Sequence, residues 1–366
     1  MSNPLFTVPL YFDRAPDGIG DLDRLRTGLS AIERTDEHLW VACDETPTLE
    51  RLTLRGDGSF GGHRTYALAE LLDLADEGEV DVEGLAYAAP YLWVIGSHSR
   101  RRSKARDEDD DAAAILRIAE VEEDPSRYFL ARIPLVNDPE GGGLVPCRSA
   151  PDPLVPGKTL TAARLRGKGA GGGLVGAFRD DAHLRRFRKI PGKDNGLDVE
   201  GLAEMNGRVF IGLRGPVLRG WAMVVEVEPT PDPKRPERLR LRRIGENGER
   251  YRKHFLDMDG MGVRDLRRDG DDLLVLAGAT MQLSAPSALY RWRGGATRER
   301  ASLVRAPELE RVLDLPYRVG QSDDHPEGVV LFGAGKPRSV MVVYDAVEDR
   351  RRVRHGVRAD VFQIPG

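Results

Sequence analysis

The chain has 366 residues, with 55 Lys and Arg against 59 Asp and Glu, for a formal charge of −4. So even a balance excludes a general nucleic-acid binder, which needs a dense cationic face to neutralise phosphates. Glycine (41) and proline (24) together make about 18% of the chain, above a usual share of about 12%, which excludes a coiled coil, a helical bundle or a collagen-like rod.

The opening MSNPLFTVPLYF has neither the basic stretch nor the long apolar run of a signal peptide. No later segment approaches 18 consecutive apolar residues, so no membrane span is expected. Strands are predicted at HLWVAC (38–43), LERLTLRGDG (49–58) and YLWVIG (91–96), each a compact apolar run closed by turn residues. Residues 65–79, TYALAELLDLADEGE, read as one helical excursion. The acids at 107–111 precede an alanine-rich helical segment, where negative charge suits the positive end of the helix dipole. A strand is expected in RYFLARIPL (127–135). The glycine clusters that follow lack P-loop spacing and read as turns. Strong strand signals return at 207–215, 221–228, 271–278, 288–294 and 339–345, and PTPDPKRPERL (229–239) reads as a surface turn or insertion. Cys43 and Cys147 are the only cysteines. They read as reduced thiols and place the expected location in the cytoplasm.

Within this order a short motif recurs. DVEGLA stands at 81–86 and again at 198–203, each time followed by a turn and an apolar strand. HPEGVVLF (325–332) and VRDLRRDGDDLLVLAG (263–278) share that order. Taking Glu83, Glu200, Asp265 and Glu327 as markers, with Glu140 between the first two and Ser30 upstream, the spacings are 53, 57, 60, 65 and 62 residues. A period near 60 built of short strands predicts an all-β chain. The expected fold is a single β-propeller over 1–366, six-bladed, with short helical insertions. LFTVPLYF and GVRADVFQIP are expected to share one blade and close the ring; a two-domain β arrangement is the alternative.

The paired DVEGLA motifs, PGKDNGLDVEGLA (191–203), FIGLRGPVLRG (210–220) and VRDL followed by LLVLAG resemble the DUF3616 family of bacterial proteins, whose function is unassigned. The resemblance runs from about Leu25 to Tyr344. A weaker one to phytase-like propellers implies calcium and a phosphorylated substrate.

Equivalent positions of successive repeats converge near a common axis. Glu83, Glu200, Asp265 and Glu327 are therefore expected to form a carboxylate ring, with Asp81 and Asp198 as further oxygen donors. Crowded carboxylates call for a compensating cation, and calcium accepts six to eight oxygens in flexible geometry. The plainer role is a glutamate that accepts backbone hydrogen bonds and locks each turn. Lys193, Asn195, Arg214, Arg219, Arg264 and His325 flank the motifs and are the expected contacts to an anionic ligand. No HExxH, GxSxG or CxxC motif marks a catalytic centre. The expected function is a cytoplasmic propeller that binds a protein or a small anionic ligand. The alternative is a calcium-assisted hydrolase of a small phosphorylated substrate.

Overall fold

The computed structural model describes residues 2–12, 22–74, 80–139, 141–167, 169–281, 286–315, 324–333, 338–345 and 347–365. It holds a mixed system of β-sheets with nine, seven, five and four strands, besides two two-stranded pairs. Each large sheet grows outward by antiparallel hairpins. One runs Val82–Ala88, Tyr91–Gly96, Leu130–Asn137 and Ala163–Leu165; another runs Asp198–Met205, Arg208–Leu218, Trp221–Val227 and Arg252–Asp257. The four-stranded sheet runs Gly262–Asp269, Asp272–Gly278, Ser287–Trp292 and Leu309–Leu315. The nine-stranded sheet joins two such meanders. Phe6–Tyr11 pairs antiparallel with Gly356–Gln363 and touches Phe60–Ala67 through one parallel bridge, Leu10 to Phe60.

Burial follows this layering. The inner strand Gly262–Asp269 is buried at every residue but Arg268, whereas the outer strand Leu309–Leu315 alternates between buried and accessible side chains. A strand covered on both faces reads as a continuous apolar run, and one with a wet face alternates. Four apolar clusters fill the spaces between successive sheets, anchored by Trp40, Phe178, Trp292 and Tyr344.

The inner strands Leu29–Thr35, Val82–Ala88, Asp198–Met205, Gly262–Asp269 and His325–Phe332 pack side by side, each on the next and the last on the first. Five strands share this arrangement, and their sheets are unequal and partly fused, so the expected six-bladed propeller is not the fold. The error lies in the interval from Glu83 to Glu200. A uniform period places two units there, but only one inner strand begins each end of it. The extra length is spent on the helix Asp111–Ala119, the pair Ser149–Pro151 with Thr159–Thr161, and short helical turns at 169–177. Glu140, the expected marker, lies outside the described residues.

Two local expectations also change. Residues 65–67 complete the strand Phe60–Ala67, and among the described residues of that segment only Leu68–Leu71 is helical. The 229–239 segment forms a hairpin, Pro229–Asp232 with Arg235–Leu241, and the second strand extends the sheet of Ala163–Leu165 in parallel. Among the described residues no helix is long and apolar enough to cross a membrane.

Candidate metal centre

The five inner strands share one irregularity. Their pairing with the following strand slips between Leu29 and Ala31, Val82 and Gly84, Val199 and Leu202, Val263 and Asp265, and Pro326 and Gly328. Such bulges re-aim a side chain out of the regular alternation. The residues standing at the slip are Ser30, Glu83, Glu200, Arg264 and Glu327. The position matching the glutamates in the fourth strand is therefore Arg264, and the glycine position there is taken by Asp265.

That one-residue offset decides the electrostatics. Arg264 reaches Glu200 through Nε at 2.9 Å and also pairs with Glu327. Arg214 holds Glu200 from the other side at 3.0 Å and lies 3.8 Å from Asp198. All of these groups are buried. Asp265 is engaged elsewhere: it accepts the backbone N–H groups of Leu266 at 2.7 Å and Val329 at 2.8 Å, and it faces Arg267 at 3.4 Å. The four expected carboxylates thus do not form one ring. Glu200 is neutralised between two arginines, Glu327 shares one of them, and Glu83 makes no hydrogen bond or ion pair among the described residues.

Two groups at this end of the strands can chelate a metal ion. Asp44, Asp81 and Glu83 bring one oxygen each within 4.8 Å of one another, and His325, Glu327 and Asp345 do the same with a ring nitrogen and two oxygens. Asp44 and Asp345 stand where strands antiparallel to the inner ones end, which returns them to the starts of Val82–Ala88 and His325–Phe332. Asp81 has left-handed backbone, with φ of 51°, directly before its strand, and Arg127 approaches it at 3.1 Å.

The first group is short of positive charge. Burial, followed by the repulsion of Asp345 and Asp81, pushes the Asp44 carboxyl up to about 8. Burial and then Asp81, Glu200 and Asp44 push Glu83 well above the ordinary carboxylate range. Burial also lifts Asp198, to about 7, against the opposing pull of Arg214. Such carboxyls hold protons unless a cation takes their place.

The other expected contacts are scattered. Lys193 is exposed, and its charge favours ionised Asp44 and Asp198, which places it by the acidic end. Asn195 is a turn residue: its Oδ1 accepts from Val217 N–H at 3.0 Å and its φ is 62°. Arg219 sits exposed in the tight turn between Leu218 and Trp221. His325 belongs to the second chelating group. Asp44 and Asp345 escaped the sequence reading because it looked only at the repeated motif. The signal was an aspartate at the end of a strand beside two of the EG segments, as in HLWVACD and VMVVYD.

The family described as "Protein of unknown function (DUF3616)" matches residues 28–360. No curated protein matches the chain. Among solved structures, it is similar to the glutaminyl cyclase of Myxococcus xanthus, at 10% identity and a TM-score of 0.39, over 100% of this chain and 97% of that one. The PQQ-bound aldose sugar dehydrogenase of Streptomyces coelicolor gives 14% identity and a TM-score of 0.40, over 99% and 98%. Saccharomyces cerevisiae Sqt1 gives 12% and 0.35, over the whole of both chains. Likeness at that level carries no argument about activity.

Proposed function

The chain belongs to the DUF3616 family, and from that starting point we propose that it is a divalent-cation-binding protein whose bound cation receives a small anionic ligand. The observation that carries this reading is the Asp44–Asp81–Glu83 group. Three carboxylates converge there, Arg127 reaches Asp81, and Glu83 has no hydrogen-bond or ion-pair partner among the described residues. Hard carboxylate oxygens suit calcium, and the His325–Glu327–Asp345 group offers a more mixed donor set to a second ion. The exposed Lys193 at the same end supplies a point positive charge for an anion held by the metal. Arg214 and Arg264 are already committed to Glu200 and Glu327, so their part is to hold the carboxylates in place. The two free thiols support a reducing compartment, and cytoplasmic location is part of the proposal.

The test is calorimetric titration of EDTA-treated protein with calcium, magnesium and manganese chlorides. Calcium is expected to bind, and Glu83→Gln to weaken it at least tenfold while leaving the circular dichroism spectrum unchanged. At a calcium concentration a hundredfold above Kd, binding adds about 2.7 kcal/mol to the unfolding free energy. Absence of both heat and thermal stabilisation with all three ions would overturn the reading.

A further inference from the structure

The opposite ends of the inner strands enclose a cavity of about 420 Å3, a size ordinary for a small-molecule site. Its wall is built in two tiers, each with one residue from every inner strand. The deeper tier is Glu33, Ala86, Ala203, Arg267 and Val330; the outer tier is Arg34, Tyr87, Glu204, Arg268 and Leu331; Asp36 and Gly333 complete the mouth. Both tiers follow from register, since the five strands carry these residues at the same distance past the bulge.

The deeper tier is internally satisfied. Arg267 donates to the carbonyls of Ile32 at 2.6 Å, Leu85 at 3.1 Å and Val329 at 3.0 Å, and it pairs with Glu33. Glu33 also accepts the N–H of Tyr87 at 2.8 Å. This knot closes the floor and separates the cavity from the acidic end. The outer tier is different. Arg34 and Arg268 each donate Nε to a carbonyl two residues on, Asp36 and Gly270, both at 3.0 Å. Arg34 is further held over the Phe332 ring, 5.0 Å from its centroid. Neither guanidinium makes an ion pair among the described residues, and the Nη groups of both have no protein acceptor there. Two guanidinium groups, each fixed by its own Nε with its outer donors open, line one cavity beside the Tyr87 ring and Leu331.

We infer that this cavity is a binding site for a small organic anion, whose phosphate or carboxylate group is taken by Arg34 and Arg268 and whose compact apolar body lies against Tyr87 and Leu331. Planar guanidinium groups bind both headgroups through paired, charge-assisted hydrogen bonds. The site is independent of the metal centre, because it is built from the other ends of the strands and the Arg267 knot lies between them.

Calorimetry in EDTA with phenyl phosphate and, separately, phenylacetate tests the inference. At least one is expected to bind, and which one does identifies the headgroup; phenol, with no strong anion at neutral pH, is expected not to bind. Arg34→Gln and Arg268→Gln are each expected to weaken binding at least tenfold. Both changes lie at the accessible ends of strands, and an unchanged melting profile confirms that the variants fold. Because these titrations are run in EDTA, they report the cavity without any metal-held anion, so the metal reading and this one fail separately. Failure of both anions to bind at millimolar concentration overturns the inference, as does equal binding by the wild type and both arginine variants.

Discussion

His98 shows how a single buried side chain ties stability to pH. Its imidazole is 3% exposed, donates Nδ1–H to the Gly96 carbonyl at 2.8 Å, and packs edge-on against Tyr128. Burial lowers it from 6.5 to about 4. The unfolded chain therefore binds a proton on His98 between these two values that the folded chain refuses. Stability contributed by the neutral ring is complete above about pH 6.5, falls as pH drops, and levels off below about 4. The shift corresponds to about 3 kcal/mol. Asparagine tolerates the left-handed backbone at this position, where φ is 53°. His98→Asn is accordingly expected to remove that part of the acid sensitivity. Urea unfolding at pH 7, 5 and 4 reads the difference, and a variant with the same slope as the wild type would refute the assignment. In the sequence His98 is one of seven histidines, inside the segment SHS. Its burial depends on the distant segment 125–128, where the Arg127 carbonyl accepts its backbone N–H at 3.1 Å and Tyr128 packs on the ring, and could not be read from SHS alone.

At the scale of the strand, the EG motif separates into two tasks. The glutamate stands at the bulge, and the glycine lets the next inner strand approach. A Cβ on Gly84 would come within 2.9 Å of Leu202, one on Gly201 within 2.6 Å of the Asp265 Cα, and one on Gly328 within 2.9 Å of Ile32. Each glycine therefore touches the inner strand of the next sheet, which is why the motif recurs and why it was the legible part of the fold. What the motif did not reveal was its own register in VRDL, where the charged residue at the bulge is an arginine. The carboxylate of Asp265 looked like the fourth member of a series, but the pairing slip between Val263 and Asp265 assigns that place to Arg264. Space and backbone angle can be separated experimentally. Gly201 and Gly207 both have positive φ, 89° and 83°, but a Cβ on Gly207 meets nothing within 4 Å. Gly207→Ala is expected to cost about 1 kcal/mol from backbone strain alone. Gly201→Ala adds a backbone clash and is expected to cost about 3 kcal/mol or more. Denaturant midpoints for the two variants check the ranking, and equal losses would show that close approach of the strands is not what the glycine serves.

For the whole molecule, the question is what joins the last sheet to the first. Composition and strand signals made an all-β chain legible, the repeated motif located four of the five inner strands, and extending its spacing upstream placed the fifth at Ser30. The count failed because period alone cannot distinguish a missing unit from an insertion, and the 117-residue step from Glu83 to Glu200 is one unit with a long excursion. Closure involves the amino-terminal strand. Phe6–Tyr11 pairs along its full length with Gly356–Gln363 and buries Val8 and Leu10, with Phe12 just beyond it. Through Leu10 it also bridges to Phe60 at the edge of the sheet that begins with Leu29–Thr35. Removing residues 1–12 takes away three buried side chains, each contributing roughly 1.5–3 kcal/mol, and leaves the edge of Gly356–Gln363 unpaired. The truncated chain is expected to lose about 5–9 kcal/mol of unfolding free energy by that estimate. Its exposed edge is also expected to promote self-association, visible by size-exclusion chromatography. A synthetic peptide of residues 1–12 supplied in excess should restore both stability and the parent's elution by adding the missing strand, since main-chain pairing to an open edge suffices for recognition. A truncated protein with the parent's denaturation midpoint and elution would show that the inner ring of strands and the four apolar clusters hold the molecule closed without this strand.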